Sequence, residues 1–132
     1  MSNKILGQQI SVPQIYIRED VLAVAWLAEQ SEQYDDMIAL LKPYVENKVN
    51  EDLDFEERNI LSVAYKNAVG MRRIAWRAIK KASSYYKKFS PFINEYMNKI
   101  EEECVEICKD MLNLIQKHLL PKAKKYSQDV ES

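Results

Sequence analysis

The sequence predicts an all-α fold, an antiparallel array of four helices of which two are long, and three observations carry that prediction. Only two glycines and four prolines occur in 132 residues, so the chain has few places to turn. Apolar residues recur at three- and four-residue intervals over most of its length, the period of an amphipathic helix. One such run, residues 55–86, continues for about thirty residues, or roughly 45 Å at the helical rise. With 47% hydrophobic and 30% charged residues, the composition is ordinary for one domain with a sizeable core. No repeat of fixed period occurs, which argues against a tetratricopeptide solenoid.

Residues 1–17 read as an arm ahead of a helical domain at 18–132. Ile10 and Val12 alternate with polar neighbours, Pro13 and Gln14 interrupt the register, and Ile15 and Ile17 resume it, as in a short extended segment. Arg18, Glu19 and Asp20 then open the first helix, where carboxylates favour initiation, and it is expected to run to residue 33. Within it, Val21 through Ala28 are consecutive apolar residues. They wrap more than two turns, so the helix has to be covered on several sides. Two coverings are open: a second subunit, or later helices of the same chain. The run is too short to cross a membrane.

The second helix, expected over 34–48, carries Met37, Leu40, Leu41, Tyr44 and Val45 at helical spacing, and Pro43 should kink or shorten it. Asn50, Glu51, Asp52 and Asp54 make an acidic loop. The third helix takes its apolar positions from Ile60, Leu61, Ala64, Met71, Ile74, Ala75 and Ile79. After a break at 87–91, the fourth shows Ile93, Met97, Ile100, Cys104, Ile107, Met111, Leu114 and Ile115 in a three-four repeat. It ends near His118, the single histidine, placed to serve the last carbonyls before Pro121. Cys104 and Cys108 sit one turn apart with no second ligand pair, so reduced core thiols are expected, not a metal site.

A polar stripe on the third helix is the strongest functional signal. Taking Lys66 as zero and about 100° per residue, Asn59 and Arg77 fall near +20°, Arg73 near −20°, Ser62 near −40° and Gly70 near +40°. Two guanidinium groups one turn apart with an ammonium nearby suit a phosphate better than a lone carboxylate. Gly70 in mid-helix costs roughly 1 kcal/mol relative to alanine, and a bulky anion approaching the backbone would explain it. A solvated basic face is the alternative. The formal charge of −1 argues against nucleic acid as a partner. No secretory leader or membrane-spanning run is present, so a soluble intracellular protein is expected. A phosphate loop, paired metal ligands or a nucleophile beside a base are lacking too, so neither catalysis nor a cofactor is expected.

The residues of this helix also carry a family resemblance. Glu56, Glu57, Arg58, Asn59, Ile60, Leu61, Ser62, Val63, Ala64, Tyr65, Lys66, Asn67, Ala68, Val69 and Gly70, followed by Met71, Arg72, Arg73, Ile74, Ala75, Trp76 and Arg77, closely resemble the first signature of the 14-3-3 proteins. Residues 27–30 and 33–37 resemble that family's first two helices and 96–120 its fourth, so the likeness covers about 18–132. It implies the amino-terminal half of a dimeric, all-helical adaptor for phosphoserine and phosphothreonine peptides of client proteins in signalling, without enzymatic activity, cytoplasmic and open to the nucleus. Carried over, Lys66 and Arg73 would contact phosphate, Arg77 would support them, and Asn59, Ser62, Val63 and Gly70 would line the groove wall.

The family completes that pocket with an Arg-Tyr pair on a fifth helix, and this chain stops at Ser132, where such a helix would begin. A half-groove and weak phosphopeptide binding are therefore expected of these residues. The dimer contacts the family implies fall inside the segment, with Leu27, Ser31, Ile79 and Tyr96 packing and two intersubunit ion pairs, Asp20 with Lys88 and Asp36 with Lys99. A third pair is lost because Gln33 stands opposite Glu103, and Ala75 replaces a serine that some members phosphorylate. The competing reading is a helical dimerisation module, with itself or a relative as partner, whose cations are merely solvated.

Overall fold

Asp54 starts the longest helix, and the way it does so ties three elements together. Its side chain accepts the backbone N–H of Glu57 at 2.8 Å while Glu57 Oε1 accepts the N–H of Asp54 at 2.9 Å, a reciprocal cap that satisfies two otherwise orphaned donors. From there α3 runs Phe55–Ser83 without interruption. The computed structural model describes residues 17–48, 52–87 and 90–121, and in them α1 spans Arg18–Gln30, α2 Tyr34–Glu46 and α4 Ser90–Leu114, the last continued by a π-helical turn at Ile115–Leu119. Every regular element among the described residues is helical, so the all-α expectation holds. The arm at 1–16 and Lys88 lie outside the described residues.

Cross-helix contacts fix the topology. Tyr65 meets Asp110, Arg72 meets Glu103 and Trp76 meets Glu101, so α4 descends as α3 rises. Likewise Lys48 and Tyr44 reach Glu57 while Asp35 reaches Arg72, which makes α2 antiparallel to α3. Val21, Leu22 and Ala25 of α1, Met37, Leu40, Leu41, Tyr44 and Val45 of α2, and Ile60, Leu61, Ala64 and Tyr65 of α3 form one core, closed by Leu53 and Leu114. Among the described residues, no helix is long and apolar enough to cross a membrane.

Burial along α3 is one-sided. Its buried residues are Glu57, Ile60, Leu61, Ala64, Tyr65 and Ala68, and none follows. The two 13-residue helices α1 and α2 reach about 20 Å, whereas the 29-residue α3 reaches about 44 Å. Beyond Ala68 it runs mainly beside the first half of α4, with Arg72 still tied to Asp35 of α2, and the two helices bear exposed Met71, Ile74, Phe92 and Tyr96.

Four boundaries differ from the periodicity, among them the end of α3, which stops at Ser83 instead of 86. α1 ends at Gln30 because Ser31 Oγ donates to the carbonyls of Leu27 and Ala28, Glu32 takes a left-handed φ of 58°, and Gln33 N–H closes the turn onto Ala28. Pro43 is accommodated inside α2, which stops three residues later at Glu46. After Leu114 the α-helix widens: i→i+5 bonding stacks Leu119 under Leu114, so both face the core, and His118 sits within this wide turn.

Candidate functional site

The seam between α3 and α4 opens into three successive hollows. The middle one, ≈ 260 Å³, is bordered by Ser62, Lys66 and Arg73 from α3 and by Ile107, Cys108 and Met111 from α4, with Tyr65 and Val69 on its floor. Farther along α3 a hollow of ≈ 510 Å³ is bordered by Arg73, Trp76, Arg77, Glu101 and Cys104. Toward the π turn, a nearly apolar one of ≈ 210 Å³ lies between Arg58, Ser62, Leu114 and Leu119. Arg73 belongs to two of them and Ser62 to two, so the seam is continuous.

The electrostatics rest on a contrast between neighbours. Arg72 is fully committed inside the fold: its guanidinium takes both oxygens of Asp35 at 2.6 Å and Glu103 at 3.2 Å, joining α2, α3 and α4. Arg73, one residue on, turns 100° away, is exposed, and forms no ion pair among the described residues; the same is true of Lys66 and Arg77. Helix periodicity thus separates a structural arginine from an available one. Glu101, which accepts the indole N–H of Trp76 at 2.8 Å, brings a carboxylate into the larger hollow. An anion is therefore better received between Lys66 and Arg73 than beside Arg77.

The predicted site residues divide accordingly. Ser62, Lys66, Arg73 and Arg77 border the seam. Asn59, Val63 and Gly70 lie to one side of it and border none of these hollows; Val63 packs partly on the core, and a Cβ at Gly70 would meet open space. Residues not singled out from the sequence include Tyr65, whose hydroxyl donates to Asp110 at 2.7 Å while Lys42 pairs with the other oxygen of that carboxylate. Burial and that bond push the Tyr65 phenol well above its ordinary range, so it stays neutral. Cys104 and Cys108 correct the expectation of core thiols: both are free and half-buried, on the α4 wall of the seam. Their three-four spacing is shared with the core face, and only the side that α3 takes distinguishes the two.

On the opposite side lie the residues implied for a dimer. Leu27 is 62% exposed and Tyr96 52%, Asp20 and Ser31 are exposed on α1, and Ile79 is half-buried. Ala23 and Val24 are open as well, so among the described residues one side of the apolar run of α1 is left uncovered while Val21, Leu22 and Ala25 face the core. Lys99 pairs within the chain, with Glu103 at 2.8 Å, and Glu103 is thereby neutralised by Arg72 and Lys99 together. Asp36 has a buried Oδ1 with no hydrogen-bond partner, and burial followed by the nearby Asp35 charge raises its pKa.

The family model described as 14-3-3 protein matches residues 24–131. Similar curated proteins include 14-3-3 protein zeta of Bombyx mori, 47% identical over 109 residues, and 14-3-3-like protein 2 of Caenorhabditis elegans, 46% identical over 109. A checkpoint signal transducer, rad25, of Schizosaccharomyces pombe is 43% identical over 111 residues. Each alignment covers 80% of this chain but only 43%, 43% and 40% of the respective relative, so the chain spans less than half their length.

Proposed function

This chain belongs to the 14-3-3 family, and on that footing we propose that it serves as a dimeric adaptor that receives phosphoserine or phosphothreonine segments of client proteins. Lys66 and Arg73 grip the phosphate, Arg77 adds long-range attraction, and Ser62 offers a hydroxyl beside them. Capture of the phosphate requires no covalent step, since charge and shape suffice for binding. The observation that carries the reading is the set of cations at Lys66, Arg73 and Arg77 that form no ion pair among the described residues, next to an arginine, Arg72, held by two carboxylates.

These residues form one wall of a groove. Exposed charges give about 0–1 kcal/mol each, so the 132-residue chain should bind a phosphoserine peptide more weakly than about 1 μM. A fluorescence-anisotropy titration checks this: weak binding that vanishes in Lys66→Glu and Arg73→Glu supports the site, and binding indifferent to both removes it. Micromolar affinity in the wild-type chain would overturn the half-groove argument. The open α1 face and the orphaned Asp36 oxygen support the second part of the reading, a dimer built through Asp20, Leu27, Ser31, Asp36, Ile79, Lys88, Tyr96 and Lys99. A dimerisation module with solvated cations is the alternative, and the same titration decides between them.

A further inference from the structure

Each cationic hollow of the α3–α4 seam also contains a thiol, Cys108 beside Lys66 and Arg73, and Cys104 beside Arg73 and Arg77. We propose that Cys108 is a modification site for anionic low-molecular-weight disulfides of the glutathione class, and that the resulting adduct fills the hollow between Lys66 and Arg73. The second clause rests on the phosphate reading above; the modification itself does not.

Three features assign the role to Cys108. It is free, half-buried and part of the wall of an open hollow, so a thiol reagent can reach it without unfolding. Lys66 and Arg73 border that hollow without ion pairs among the described residues, and a glutathionyl group carries two carboxylates that can take their charge. Glu101, in contrast, lines the hollow of Cys104, where its carboxylate repels an anionic disulfide, and burial raises the Cys104 thiol. Periodicity also keeps Cys108 clear of the face read as a dimer contact: on α4 it lies about 120° from Tyr96 and about 180° from Lys99.

The chemistry is thiol–disulfide exchange. The Cys108 thiolate attacks one sulfur of glutathione disulfide, a new S–S bond forms at Sγ, the original S–S bond breaks, and the second glutathione leaves as a thiolate that takes up a proton. The carboxylates of the retained half then lie against Lys66 and Arg73, where an incoming phosphate would otherwise sit.

The test uses the 132-residue chain with two probes, glutathione disulfide and the uncharged 2-hydroxyethyl disulfide, followed by intact mass and peptide mapping. One adduct at Cys108 is expected, retained in Cys104→Ser and absent in Cys108→Ser. Lys66→Gln with Arg73→Gln should lower the ratio of the glutathione rate to the neutral rate by roughly 3- to 10-fold. At matched ionic strength, inorganic phosphate should slow the glutathione reaction and leave the neutral one unchanged. A wild-type adduct at Cys104, no adduct at all, or a rate ratio indifferent to the two cations would overturn the proposal. Since neither probe is a phosphopeptide, loss of the phosphopeptide reading would leave the site of the adduct and the rate ratio standing.

Discussion

Glu57 is a buried carboxylate on which four polar partners converge. Only 2% exposed, it accepts from Tyr44, Lys48 and the backbone of Asp54, with Arg18 at 3.5 Å. Burial pushes its carboxyl upward, but the Lys48, Tyr44 and Asp54 donors outweigh burial and hold the pKa below the usual 4.5. A depressed folded pKa contributes stability that is present above the unfolded value and lost as pH falls through the folded one. Tyr44, raised by burial first and by Glu57 second, has the opposite sign: its contribution is lost as pH climbs past the ordinary 10.0. Urea midpoints should therefore be flat near neutrality, fall below about pH 4.5 and fall again above about pH 10; Glu57→Gln should cost about 2–4 kcal/mol at pH 7 and flatten the acid limb. The two adjacent arginines give a second test. Arg72→Gln takes the ion-pair partner from Asp35, leaves Glu103 with Lys99 alone and should destabilise by about 1–3 kcal/mol, while Arg73→Gln should stay within about 0.5 kcal/mol by thermal unfolding. The stripe from Ser62 to Arg77 was legible in the sequence because it depends only on helical angle. The fate of Arg72 was not, since its partners Asp35 and Glu103 are 37 and 31 residues distant.

At the scale of elements, all four helices were legible as to number and order, because few glycines and prolines interrupt an apolar period, whereas the period did not tell the exposed Met71 and Ile74 from the core positions before them. Their ends were less so: the closure of α1 depends on a left-handed Glu32 and on Ser31 bonding back to the helix, which no period announces. Nor does the period foresee the switch to π bonding after Leu114, which answers to the core below. Gly70 is the instructive case. Its backbone is helical, its φ is not positive, and a Cβ there would meet nothing within 4 Å, so the fold does not require glycine. Gly70→Ala should stabilise α3 by roughly 0.5–1 kcal/mol in thermal melts. If an anion does approach the backbone there, the same variant should weaken phosphopeptide binding while raising the melting temperature.

For the whole molecule, the unbalanced distribution of burial matters most. Leu27 and Tyr96 expose apolar surface on the side away from the cations, and Leu27→Asp should convert a dimer to a monomer in sedimentation velocity without loss of helical circular dichroism. A dimeric Leu27→Asp would refute that interface. The α3–α4 pair past Ala68, with Ile100 as the buried anchor of its returning strand of helix, has a further consequence. Past the Arg72 clamp this stretch has few buried apolar contacts, so its amides should exchange with deuterium before those of residues 57–68. Arg73 and Arg77 ride on that labile stretch. Whatever orders it, a neighbouring protomer or a bound anion, lowers the entropic cost for the other, so self-association and ligand capture should reinforce one another by thermodynamic reciprocity.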